Sequence, residues 1–250
     1  MKPFRVRRLR WPVREVSSVQ NPVQSRLGRT TQGHLAHINQ LEHFFRLPMN
    51  NLFVVRHGET KANENDLDAG SLDFPLTRKG KKEAAFIGKS LSPIGIEGVY
   101  CSPVRRAVQT AKILGRPHRL KPILLNDLIE AKLKPSFVGK PGRHHILQSP
   151  EAFQETYEEL QERVLRAVSK IQAEVKTNAI MVSHGDVIVA FLQHVIERGD
   201  GHAGYYVLHP NPGSLSVIQF TDRPRLVLFD YRRRLFESFE KAGRKKKGAR

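Results

Sequence analysis

Apolar and polar positions fall into regular blocks from about residue 51 onward. Leu52–Val55 is a short, continuous run of β-prone residues, the pattern of a parallel strand buried on both faces. Residues 75–91 read as a helix, with Thr77 as N-cap and Ala84, Ala85, Ile87 and Leu91 toward its buried side. Val99–Cys101 predicts a strand. Pro103 then opens a helix through Val108 and Ile113 to Gly115, since a missing N–H costs little in a first turn. Residues 119–125 predict another strand, and 131–149 a loop rich in Pro and Gly. Phe153, Tyr157, Leu160, Val164, Val168 and Ile171 recur at three- and four-residue steps. That spacing predicts a long helix over 149–175, capped by Ser149 with Pro150 in its first turn. Ala179–Val182 is a strand, and Asp186 is placed to cap the helix that follows, to about Glu197. Strands at Tyr205–Leu208, Leu215–Phe220 and Leu226–Phe229 complete the pattern. Strands alternating with helices imply an α/β layered domain over 49–231.

Charge changes the picture only at the ends. Of 250 residues, 42 are Lys or Arg and 24 Asp or Glu, a net charge of +18. Residues 1–48 and 232–250 each hold nine basic residues against two acidic ones, so the central domain is only mildly basic. The first 48 residues read as a basic N-terminal extension: a poorly ordered arm, an Arg-rich targeting segment broken by Pro3 and Pro12, or an over-extended start. Residues 232–250 read as a basic C-terminal tail. Basic arms suit nucleic acid or other anions, but "GRKKKGAR" has no aromatic interleaving, so solvated tails are favoured over RNA contact. The single cysteine, Cys101, rules out an intramolecular disulfide and leaves a cytoplasmic location as the expectation. No apolar run is long enough to span a bilayer, so no membrane association is expected.

Candidate chemistry sits at two strand ends, "NLFVVRHGETKAN" (51–63) and "AIMVSHGDV" (179–187), where an imidazole followed by glycine closes each apolar run. In open α/β sheets ligands gather beyond the carboxyl ends of strands. His57 and His184 therefore read either as two satisfied structural histidines or as partners in one crevice. Arg56 beside His57, and Arg105 and Arg106 after a third strand end, favour the crevice and suggest a phosphoryl ligand. No Asp pair for Mg²⁺ stands near, so side chains rather than a metal are expected to neutralise the phosphate, with no cofactor.

The chain resembles the histidine phosphatase superfamily, whose fold is shared with cofactor-dependent phosphoglycerate mutase. "RHGET" (56–60) with Asn63 matches its opening motif, "SPVRRAVQTA" (102–111) its second, and "VSHGD" (182–186) the motif with the second histidine. "LIE" (128–130) matches the element carrying the family's acid. The resemblance implies a three-layer α/β/α sandwich with a mostly parallel central sheet. It implies His57 as the nucleophile that becomes phosphohistidine, with its other nitrogen donating to a backbone carbonyl. Arg56, Arg106, His184, Asn63 and Gly185 would bind phosphoryl oxygens, and Glu130 would be the proton donor. The implied activity is metal-independent hydrolysis of a small phosphorylated substrate.

Phosphatase is preferred to mutase because "EAKLKPSFVGK" (130–140) lacks the Arg-x-Tyr-Gly pattern and long insertion of the mutases. The alternatives are mutase-type phosphoryl transfer and a catalytically weak scaffold with anion-binding tails. Lys132, Lys134, Lys140 and Arg143 read either as a solvated loop or as an attraction for polyanions. A Cys-x5-Arg phosphatase is excluded, because position 107 is alanine. His144-His145 is not expected to bind metal, since adjacent side chains in a loop point apart and no acid or Cys flanks them.

Overall fold

A computed structural model describes residues 49–70, 72–142, 144–200, 208–222 and 224–232, with the side chains of 197–200 left aside. The basic extension 1–48, nearly all of the tail 232–250, Arg143 and all but Leu208 of the strand expected at 205–208 lie outside the described residues. The strands are β1 (Asn51–Arg56), β2 (Gly98–Cys101), β3 (Ile123–Leu124), β4 (Asn178–Ser183), β5 (Leu215–Gln219) and β6 (Arg225–Tyr231). The helices are α1 (Lys61–Glu64), α2 (Arg78–Leu91), α3 (Arg105–Gly115), α4 (Tyr157–Glu174) and α5 (Gly185–Asp200).

The strands form one sheet in the order β3-β2-β4-β1-β5-β6. β1, β2, β3 and β4 are mutually parallel, and β5 alone runs against the rest. One face buries Phe53, Val55, Val99, Ile180 and Val182 against Ile87 and Leu91 of α2 and Ala107, Ala111 and Leu114 of α3. The alternate residues Leu52, Val54 and Met181 are equally buried, as are Leu160, Val164 and Ile171 of α4 and Val187, Phe191 and Leu192 of α5. α2 packs on α3, and α4 on α5. The result is the expected three-layer α/β/α sandwich. Covering both faces explains why β1 and β4 are unbroken apolar runs. Among the described residues no helix is long and apolar enough to cross a membrane.

Several boundaries differ from expectation. Thr77 does cap α2, accepting from Gly80 N at 3.0 Å, but Ala85 faces solvent. α3 begins at Arg105 after Val104, two residues later than Pro103 suggests. The strand expected over 119–125 shrinks to the two exposed edge residues Ile123 and Leu124. α4 starts at Tyr157 rather than near Pro150, because Thr156 and Glu159 form a capping box there. Residues 150–152 make a separate 3₁₀ turn, and Phe153 pairs with Leu133 instead of continuing the helical stripe. Asp186 lies inside the first turn of α5 and does not cap it.

The segment after β1 is clamped from two sides. Gly58 N donates to Thr110 Oγ1 of α3 at 3.1 Å, and Thr77 N donates to Glu59 O at 2.9 Å. Gly58 and Gly80 let the two backbones touch: a Cβ on Gly58 would stand 2.4 Å from Gly80 O, and one on Gly80 2.2 Å from Glu59 O. The glycine after His57 thus serves close backbone approach, not a left-handed turn. A Gly-to-Ala change inside a helix ordinarily gains about 1 kcal/mol. Here overpacking costs about 1–3 kcal/mol or more, so Gly80→Ala is expected to lower stability in urea denaturation. A neutral or stabilising result would show that the contact is not tight.

Candidate active site

The register Arg56↔Ser183 puts the ends of β1 and β4 side by side, so the next residues, His57 and His184, are neighbours. His57 N extends the ladder by donating to Ser183 O at 3.0 Å. The two rings meet edge to face with centroids 5.2 Å apart. His57 Nδ1 lies 2.9 Å from Gly58 O. A carbonyl can only accept, so Nδ1 carries the proton and the lone pair is on Nε2. Burial, then the charges of Arg106 and Arg56, push His57 well below the usual imidazole value, against the opposing Gly58 bond. Burial and the same arginines do likewise for His184. Both rings are therefore neutral near pH 7.

A cleft of about 1290 Å³ opens beyond these strand ends. Arg56, His57, Asn63, Arg106, Glu130 and Gly185 all line it. His184 is fully buried beside His57, with Nε2 2.8 Å from Ser102 Oγ and Nδ1 without a partner among the described residues. Arg106, only 2% exposed, donates to Leu72 O and Gly70 O at 3.0 and 3.1 Å, and its Nε has no partner among the described residues. Arg56 donates to Pro210 O at 2.7 Å. Thr60 N and Oγ1 both donate to Asn63 Oδ1, at 3.0 and 2.9 Å, which leaves the amide Nδ2 as a neutral donor.

Glu130 caps α5 from outside. Its Oε2 accepts from Gly185 N at 2.9 Å, and Oε1 from Ala131 N and Asp186 N at 3.0 and 3.2 Å. These bonds, Arg56 and Arg106 favour the carboxylate; burial first, then the charge of Asp186, favour the acid. The balance lies above the ordinary carboxylate value.

Arg163 of α4 holds the loop that presents Glu130. It donates to Asp127 O at 2.8 Å, Ile129 O at 2.6 Å and Glu130 O at 3.3 Å, and grips Glu155 through two nitrogens at 2.9 and 2.8 Å. The sequence reading missed this residue, although a charge inside the Leu160–Val164–Val168 stripe marks it. Ser102 and Thr110 gave no such sign.

Lys132, Lys134 and Lys140 are exposed and do not line the cleft; Arg78 and Lys82 of α2 do. His144 and His145 point apart, as expected, but each finds a distant acid: His144 Nδ1 lies 2.5 Å from Asp68 Oδ2, and His145 Nδ1 3.2 Å from Asp186 Oδ1. Cys101 is fully buried, and burial pushes its thiol up to about 12, which leaves it no nucleophile.

Residues 52–230 match the family model of the histidine phosphatase superfamily, branch 1. A 2,3-bisphosphoglycerate-dependent phosphoglycerate mutase 2 of Arabidopsis thaliana is 42% identical over 84 residues, 32% of this chain and 25% of that protein. The chain thus matches about a quarter of that relative's length. The uncharacterized phosphatase PhoE of Bacillus subtilis is 29% identical over 146 residues, 57% of this chain and 75% of PhoE. Among solved structures, a mycobacterial glucosyl-3-phosphoglycerate phosphatase in complex with VO3 superposes with a TM-score of 0.63 at 21% identity, over 72% of this chain and 98% of its own.

Arg163→Met is expected to cost about 1–3 kcal/mol in urea denaturation, because it leaves a half-buried carboxylate and three carbonyls without their donor. Burial pushes Glu155 up, but the Arg163 fork and the Lys132 N–H outweigh it and hold it below the usual value. Its folded value being depressed, this contribution is present above the unfolded value of about 4.3 and is lost as pH falls through the folded one. The gap between wild type and Arg163→Met should therefore narrow below about pH 4; a gap independent of pH would contradict the pairing.

Proposed function

The chain belongs to the histidine phosphatase superfamily, and from that premise we propose that it hydrolyses small phosphomonoesters through a phosphoryl group carried on His57. The observation that carries the reading is the His57 ring itself. It is locked by Gly58 O into the tautomer with its lone pair on Nε2 and kept neutral beside two guanidinium groups. A neutral imidazole beside fixed cations is a nucleophile for an anionic phosphoryl group.

In the first step His57 Nε2 attacks phosphorus; the N–P bond forms as the ester P–O bond breaks, and Glu130 gives its proton to the departing alkoxide. In the second, water attacks the same phosphorus, Glu130 takes its proton, and the N–P bond breaks to release phosphate. Arg56, Arg106, His184 and Asn63 Nδ2 hold the equatorial oxygens, where the transition state spreads its charge. Arg106 Nε and His184 Nδ1, without partners among the described residues, suit such oxygens, Nδ1 as a donor when Nε2 accepts from the Ser102 hydroxyl. Gly185 lines the same cleft, and its N–H, which donates to Glu130 Oε2, is a further donor that a phosphoryl oxygen could share. The two guanidinium groups supply positive charge that a metal would otherwise provide.

A second reading, transfer of the phosphoryl group to another alcohol, is favoured by the 42% match to the Arabidopsis mutase. The absence of an Arg-x-Tyr-Gly pattern after Glu130 supports hydrolysis instead. ³¹P NMR of a reaction with 2,3-bisphosphoglycerate and 3-phosphoglycerate separates the two, by released inorganic phosphate or by isomerised product.

Turnover is expected to survive EDTA and to vanish in His57→Ala; phosphate release by folded His57→Ala would defeat the assignment. In kcat/KM, which reports the first displacement, Glu130→Gln should lose roughly 10²–10⁴-fold on alkyl phosphates and far less on p-nitrophenyl phosphate, whose leaving group needs no proton. Because His57 titrates below the usual imidazole value, its neutral form persists into acid. The acid limb of kcat/KM, corrected for ionisation of the substrate, should then lie below pH 6.5. A limb above that value would contradict the buried, arginine-flanked ring.

A further inference from the structure

Glu130 has too many partners that favour its charge. Three backbone N–H groups and two guanidinium groups face it, and such a carboxyl would stay ionised and have no proton to give. Burial opposes them first, and a second opposing charge adds to it. The first turn of α5 supplies that charge: Asp186, whose N–H holds Glu130 Oε1, also carries a carboxylate on that same turn, its side chain only 8% exposed.

Asp186 is in turn coupled to a titratable ring. Its Oδ1 faces His145 Nδ1 at 3.2 Å and accepts from Ile146 N at 3.4 Å. His145 rests against His209, with ring centroids 4.7 Å apart, and both rings line the cleft that holds Glu130. We propose that Asp186 and His145 form a charge couple that sets when Glu130 carries its proton: ionised Asp186 keeps the proton on, and protonated His145 weakens that hold. The proposal rests on Glu130 being the acid, and Asp186 and His145 act as positioning residues, through Glu130 rather than on the substrate.

The directions of titration agree with the geometry. Glu130 is raised by burial and next by Asp186, and His145 is raised chiefly by its bond to Asp186. The other charged groups facing the couple are Arg56 and Arg106, which lower Glu130, and His209, which burial and His145 hold down. Arg163 reaches only the backbone carbonyl of Glu130. Arg56 packs against Gly185 on the same turn and also lowers His145, so it is a fixed charge against which the couple works.

The variants Asp186→Asn and His145→Gln test this because they must act in opposite senses. Two readouts are taken: the basic limb of kcat/KM on an alkyl phosphate, and the midpoint of the Glu130 side-chain carboxyl resonance in ¹³C NMR. Asp186→Asn should move both to lower pH and His145→Gln both to higher pH, with p-nitrophenyl phosphate hydrolysis moving little. Wild-type midpoints in both variants, or shifts of the same sign, overturn the couple. Should Asp186→Asn fail to fold, the sign of the His145→Gln midpoint decides alone. Glu130→Gln on the same substrates keeps the two levels apart. Equal losses on alkyl and aryl phosphates would sink the acid role, while the NMR midpoints would still decide the couple.

Discussion

The in-register parallel pairing of β1 with β4 is the constraint on which the site depends. Each strand is an apolar run buried on both faces, so a slip of one residue would exchange every buried side chain for its neighbour on the opposite face. The register Arg56↔Ser183 is thereby held by the whole core, and it carries His57 and His184 past the sheet edge side by side. The precision of this ring pair comes from packing that lies almost entirely elsewhere.

Around that pair the protein solves an electrostatic problem. Two guanidinium groups stand next to two buried imidazoles, and the imidazoles respond by staying neutral. The guanidinium groups are partly satisfied by carbonyls of Gly70, Leu72 and Pro210, which hold them in place without cancelling their charge. The negative side of the balance is Glu130, seated on the first N–H groups of α5 and secured from behind by Arg163. Strand ends, a helix start and a buried arginine thus converge on one cleft from separate parts of the chain.

Much of this is legible in the sequence for physical reasons. Buried strands betray themselves as unbroken apolar runs, and α2 by Thr77 ahead of its periodic face. The residues now lining the cleft stand in short local motifs at strand ends. What is not legible has two causes. Some signals were outcompeted: Ser149-Pro150 looked like a helix start, but the reciprocal Thr156–Glu159 cap fixed it at Tyr157. Others exist only in three dimensions. His145 meets Asp186 across 41 residues and His144 meets Asp68 across 76, so neither acid flanks its histidine in the chain. His184 also proved to be fully buried, its Nε2 against Ser102 Oγ 82 residues away, a matter of depth that spacing along a strand does not encode.

The central claim is that the lone pair on His57 Nε2 takes up a phosphoryl group. Rapid mixing with substrate, quenching in alkali and peptide mapping by mass spectrometry test it most directly, since phosphohistidine survives base and is lost in acid. The account predicts one acid-labile phosphate on the peptide carrying His57, formed within a turnover and discharged as substrate is exhausted. A phosphate on another residue, or turnover with no phosphorylated protein at any time, would contradict it.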